Sequence, residues 1–123
     1  MGQPVVHFEI IGRDPGALRD FFSELFGWEF DTSGEVAEQV SEPHNYGFTP
    51  GDDDGIPGGV GGGERYQGRV LVYVGVPDVA AALERAERLG GRREMGPVQA
   101  PSGLVVGHFR DPAGNLIGLA SVT

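Results

Sequence analysis

One pattern occurs twice in this chain: an apolar strand, an Asp-started amphipathic helix ending at Gly, then strands punctuated by glycine, first from Val5 and again from Val70. Aligning Asp14 with Asp78 gives an offset of 78 − 14 = 64, which also sets Leu18, Phe22 and Leu25 over Ala82, Ala86 and Leu89. A duplicated unit of this size predicts two copies of one supersecondary module packed around a shared cavity. At 123 residues the chain suits a single domain, 1–123, assembled from half-modules 4–63 and 69–122.

Within the first copy, Val5 to Ile11 alternates His7 and Glu9 on one face with Val6, Phe8 and Ile10 on the other, the period of a half-buried strand. The second set is expected to meet a helix. Asp14 followed by Pro15 is a strong helix start, because the carboxylate accepts orphan amide hydrogens and proline's fixed φ suits the first helical position. Leu18, Phe21, Phe22 and Leu25 supply the expected buried stripe and Gly27 the stop. A second strand is expected from Trp28 to Phe30, with weaker strand signals at Val36 to Val40 and Asn45 to Thr49.

Between the copies lies Pro50 to Gly63, which fails each test for a ligand loop. With Gly55 at the sixth position of a calcium loop, Pro50 and Gly61 fall where acidic ligands belong, and no G-x-G-x-x-G or Gly-Lys-Ser/Thr register survives. A mobile turn, a glycine-rich final strand and an inter-module linker are expected instead. In the second copy Leu71 and Tyr73 occupy the face of His7 and Glu9, while Val72, Val74 and Val76 face a helix that Asp78 caps and Gly90 and Gly91 terminate. Strands follow near Arg92 to Met95, Leu104 to Arg110 and Leu116 to Val122, the last two joined by the turn Asp111-Pro112-Ala113-Gly114-Asn115.

A formal charge of −9, from 18 acidic and 9 basic residues, opposes the phosphate neutralisation that drives nucleic-acid binding. No stretch approaches the roughly 18 apolar residues of a membrane span. The absence of cysteine removes disulfides, thiolate ligands and a cysteine nucleophile, and fits an expected cytoplasmic location.

Two copies of strand, helix and three strands, with Phe109-Arg110-Asp111-Pro112-x-Gly114-Asn115 before the final strand, closely resemble the vicinal oxygen chelate superfamily. Its members include glyoxalase I, extradiol dioxygenases, and fosfomycin and bleomycin resistance proteins. The resemblance runs from about Val5 to Val122 and implies an α+β fold of two βαβββ modules whose paired curved sheets form a cleft. It also implies a small-molecule ligand in that cleft and a homodimer, in some relatives with swapped modules. Metal ligands in the family, usually His and Glu, fall one each on the first and last strands of each module. Carried onto this chain, those positions are His7, a match, then Leu71, Gly118 and a residue near Gly59, none of which can ligate. A catalytic divalent site needs about three protein ligands, so no metal cofactor is expected. Glu9, His44 and His108 are the candidates if ligands have been relocated.

The expected function is therefore a glyoxalase-like protein that binds a small organic molecule, with catalysis left open between lyase, isomerase and dioxygenase chemistry. A metal-dependent lyase or dioxygenase with relocated ligands is one alternative, and an antibiotic-sequestering resistance protein another. His7 and Glu9 are the candidate catalytic pair: the imidazole as general base, vestigial ligand or simply a hydrogen-bonded strand residue, the carboxylate as its orienting partner or a solvated acid. Trp28, Tyr46, Leu71, Tyr73, His108 and Arg110 are candidate ligand-binding residues. The aromatic groups and Leu71 would wall the site, and Arg110 would offer its fork of donors to an anionic ligand. Core packing for Trp28, Leu71 and Tyr73, and an ion pair with Asp111 or a nearby acid for Arg110, are the competing structural roles.

Overall fold

The computed structural model describes residues 2–122, apart from the side chain of Val122, and contains seven strands and two helices. In chain order these are β1 (Val5–Gly12), α1 (Pro15–Phe26), β2 (Gly47–Thr49), β3 (Gly58–Gly62), β4 (Arg69–Gly75), α2 (Val79–Arg88), β5 (Arg92–Gln99), β6 (Leu104–Arg110) and β7 (Leu116–Val122). Contacts group them into two compact units: His7–Val70, and the segment ending at Val6 together with the chain from Leu71 onward.

The unit His7–Val70 orders its strands β2-β3-β1. β3 runs parallel to β1, setting Phe8 beside Gly58 and Glu9 beside Gly59, and antiparallel to β2. The helix signals hold: Asp14 accepts from the Ala17 amide, Pro15 opens the first turn, and Gly27 closes the helix at φ 73° with its N–H on the Ser23 carbonyl. Two expectations fail. Trp28–Phe30 and Val36–Val40 are not strands; the first leads only to an isolated bridge between Asp31 and Phe48, and the second coils so that Val40 N–H reaches the Ala37 carbonyl. Trp28 turns its ring into an aromatic cluster, with centroids 5.0 to 5.5 Å from Phe8, Phe22 and Phe26. The expected stripe of α1 is also only half buried: Leu18 and Phe22 are partly covered, but Phe21 is 57% and Leu25 59% exposed. Phe22 faces Trp28 across the cluster, whereas Phe21 and Leu25, on the same helical stripe, are left exposed.

The glycine-rich segment is strand and not merely linker. All of Gly58–Gly62 is buried, and packing demands the glycines: a Cβ on Gly58 would enter the Phe8 ring and one on Gly59 the Tyr46 ring. β3 is the central strand of its sheet because it carries almost no side chains to keep the rings away.

In the other unit the strands order β4-β7-β6-β5, with β4 and β7 parallel and Tyr73 beside Gly118. The duplication is thus reproduced in register, Glu9 beside Gly59 in one half and Tyr73 beside Gly118 in the other. Asp78 caps α2 through the Ala81 amide. Val79, Leu83 and Leu119 form the core, with Val74, Val76, Val105 and Phe109 packed around it, as the alternation of β4 predicts for Val74 and Val76. Val72 lies at the exposed margin. The Asp111 to Asn115 turn closes through Gly114 N–H on the Asp111 carbonyl, and the Asp111 carboxylate takes the Ala113 and Asn115 amides.

Leu83 is fully buried at the centre of this core. Leu83→Ala should cost about 3 kcal/mol through lost burial and an unfilled cavity, read from urea denaturation; a loss below about 1 kcal/mol would remove Leu83 from the centre of the core.

Candidate functional site

β1 aims His7 and Glu9 to one side by strand alternation, and Tyr46, at the residue before β2, comes to lie over both. The Tyr46 hydroxyl donates to Glu9 Oε1 at 3.0 Å and is hydrogen-bonded at 2.8 Å to His7 Nε2. Glu9 is 1% exposed and Tyr46 2%. A carboxylate so far from water needs compensation. Besides the hydroxyl it has Arg69, at the start of β4, whose Nη2 lies 3.9 Å from Glu9 Oε2 while also donating to the Val40 carbonyl. Phe48 completes the surroundings, its ring 6.0 Å from His7 and 4.8 Å from Tyr46.

His7 is partly buried against these rings, and desolvation lowers its pKa from the ordinary 6.5 to about 4. Burial disfavours the imidazolium, so at neutral pH the ring is uncharged and able to accept or donate a hydrogen bond.

The other unit holds a second polar pair at related positions. Tyr73 follows Glu9 by 73 − 9 = 64 residues, and its hydroxyl lies 2.7 Å from His108 Nε2, with the two residues 3% and 4% exposed. Leu71, two residues before Tyr73, is likewise buried.

The remaining candidates are placed as follows. Trp28 belongs to the cluster of Phe8, Phe22, Phe26 and Phe30, which adjoins His7 through Phe8, its neighbour in sequence. Arg110 spends its guanidinium on the Gly114 carbonyl at 3.1 Å and on Glu94 at 3.5 Å, with Asp111 engaged by its own turn. His44 is exposed and 3.7 Å from Glu35. Two residues not singled out from the sequence also shape the site, and period two was the available signal for both. Phe48 stands two residues from Tyr46, and Arg69 two from Leu71 on the face expected to carry Leu71 and Tyr73.

A divalent cation does not suit this donor set. Among the described residues no group of three or more His, Asp or Glu side chains is arranged to hold a metal ion. The two final-strand positions are filled by rings: a Cβ at Gly118 would come 2.5 Å from the Tyr73 ring, and one at Gly59 would fall inside that of Tyr46.

These features carry the classification. The model of the glyoxalase/bleomycin resistance protein/dioxygenase superfamily matches residues 5–119, and the chain belongs to that family. A Streptomyces coelicolor methylmalonyl-CoA epimerase variant, solved with 2-nitronate-propionyl-CoA, is similar in fold with a TM-score of 0.71 at 18% identity, covering 98% of each chain. A Bacillus halodurans hypothetical protein gives 0.69 at 12% identity, covering 100% of this chain and 96% of that one. The Mycobacterium tuberculosis methylmalonyl-CoA epimerase gives 0.68 at 13%, covering 97% and 87%. At these identities the likeness is one of fold. Comparison with curated proteins gives no match. No helix among the described residues is long and apolar enough to cross a membrane.

Two predictions follow from the site's packing and charge. With the folded pKa of His7 near 4 and the ordinary value at 6.5, the unfolded chain takes up the proton first as pH falls. Stability is therefore complete above about pH 6.5 and declines toward pH 4, by on the order of 2–3 kcal/mol. His7→Gln should flatten that part of the pH profile in urea titrations, and an unchanged slope would contradict the assignment. Gly118→Ala should cost about 1–3 kcal/mol by overpacking against Tyr73. Gly55→Ala, where an added Cβ meets nothing within 4 Å, should stay within about 0.5 kcal/mol of the parent. Equal effects in thermal melts would refute the packing argument.

Proposed function

We propose that the chain is a small-molecule-binding member of its superfamily that works without the family's divalent ion, with His7, Glu9 and Tyr46 as the centre of its site. The observation that carries this reading is the pair of tyrosine rings packed on Gly59 and Gly118, where the family pattern would set ligating side chains. With those positions closed and Leu71 apolar, His7 is left as one imidazole of an expected quartet. A single imidazole gives weak, exchangeable metal binding.

The surroundings suit an organic ligand. Tyr46, Phe48 and Phe8 give His7 an aromatic setting with centroids 6.0 to 6.4 Å away, favourable to a planar or apolar body. The imidazole in this setting is uncharged at neutral pH. Glu9, held by Tyr46 and near Arg69, places a buried carboxyl group behind it. A proton acceptor backed by a buried carboxylate is the basic equipment of general-base chemistry, and binding alone would use the same groups.

Elemental analysis by inductively coupled plasma mass spectrometry, on protein purified without chelators and dialysed, should find transition metal far below one equivalent. A stoichiometric ion that survives dialysis and is lost from His7→Ala would overturn the proposal in favour of a metal centre with relocated ligands.

A further inference from the structure

We infer that the exposed aromatic end of α1 docks, on a second copy of this chain, in an apolar groove beside α2. Neither face includes His7, Glu9 or Tyr46, and a failure here leaves the proposed function where it stands.

The projecting face comes from a helix with more aromatic side chains than its own unit covers. Phe21, Leu25 and Phe26 are each more than half exposed. They are not scattered: ring centroids lie 5.3 Å apart for Phe21 and Phe22, 5.9 Å for Phe22 and Phe26, and 5.0 Å for Phe26 and Trp28. Leu25 follows Phe21 by one helical turn. A contiguous apolar patch rimmed by polar residues marks a contact surface. Here the rim is acidic. Asp20, Glu24 and Glu29 are exposed, the last turn of α1 contains no basic residue, and Arg19 turns to the Asn45 and Val60 carbonyls.

The receiving face arises from the duplication. The offset of 64 sets Ala82 and Ala86 of α2 where α1 has Leu18 and Phe22, and Arg85 where it has Phe21. Beside the short side chains runs an open groove of about 290 Å³, with Leu89, Phe109 and Pro112 among its apolar walls. A cavity of roughly 150 Å³ accommodates a benzene ring, so an aromatic side chain has room here. Arg85 lines the groove and Arg88 follows in the same last turn. Of the acids nearby, Asp111 is engaged by the amides of its own turn, Glu87 is 3.1 Å from Arg93, and Glu84 does not line the groove.

Charge selects the occupant. Two α1 faces brought together would set Asp20 and Glu24 against their own copies, whereas α1 on the groove brings these acids toward Arg85 and Arg88. The helix that kept its large side chains thus supplies the projection, and the helix with alanines supplies the recess.

The test is sedimentation velocity of the full chain over a concentration series, alone and as two variants, Phe21→Asp and Leu89→Asp. The parent should shift with concentration from the 13.0 kDa monomer to larger species. Each variant should weaken this association at least tenfold, the first by spoiling the projection and the second by placing an acid at the groove. An equal mixture of the two should associate more tightly than either alone, because one intact projection then meets one intact groove. A parent that stays monomeric at millimolar concentration overturns the inference. So does a parent whose association survives Leu89→Asp, which would put α1 against another surface, or a mixture that gains nothing over its components. Both substitutions fall on exposed residues, and the parent's own behaviour decides the first outcome whether or not a variant folds.

Discussion

Aromatic rings lying directly on side-chain-free backbone are the constraint on which the described site depends. Phe8 covers Gly58, and Tyr46 covers Gly59 and Gly61, all in a strand buried along its length. Since β3 sits between β1 and β2, this close approach brings Tyr46 within hydrogen-bond range of two residues on β1. With a side chain at Gly59 the ring would be displaced, and Glu9 would lose a partner it needs in a setting with almost no water. The glycines therefore determine the polar chemistry of the site while contributing no polar group of their own.

The same solution appears in the other half with different residues. Tyr73 lies on Gly118 and reaches His108, as Tyr46 lies on Gly59 and reaches Glu9 and His7. The tyrosine stands just before β2 in one half and in the middle of β4 in the other, while the glycine is on the final strand of each half. The two halves share the ring-on-glycine contact and differ in the groups that make it.

Much of this was legible from the residues. The Asp caps located both helices, Pro112, Gly114 and Asn115 located the turn from Asp111, and the offset of 64 gave the correspondence of Glu9 with Tyr73; caps and turns are decided by local chemistry. Glycine composition was harder to interpret. The glycine-rich final strand expected within Pro50 to Gly63 is present as β3, but the rings that lie on it could not be read, since glycine's small size matters only once a neighbour is known. Trp28 to Phe30 failed for the complementary reason: β-forming residues were drawn into an aromatic cluster whose other members, Phe8, Phe22 and Phe26, come from β1 and α1. Tyr46 could be named as an aromatic wall, but its hydroxyl's role depended on a contact across 46 − 9 = 37 residues that no periodicity encodes.

The contact between ring and glycine also limits how such a site can change. A carboxylate side chain introduced at position 59 or 118 alone would have no room, and a smaller residue at 46 or 73 alone would leave a void and take a hydrogen bond from a buried acid or imidazole. A carboxylate at either position would therefore need a paired replacement of the ring that lies on it.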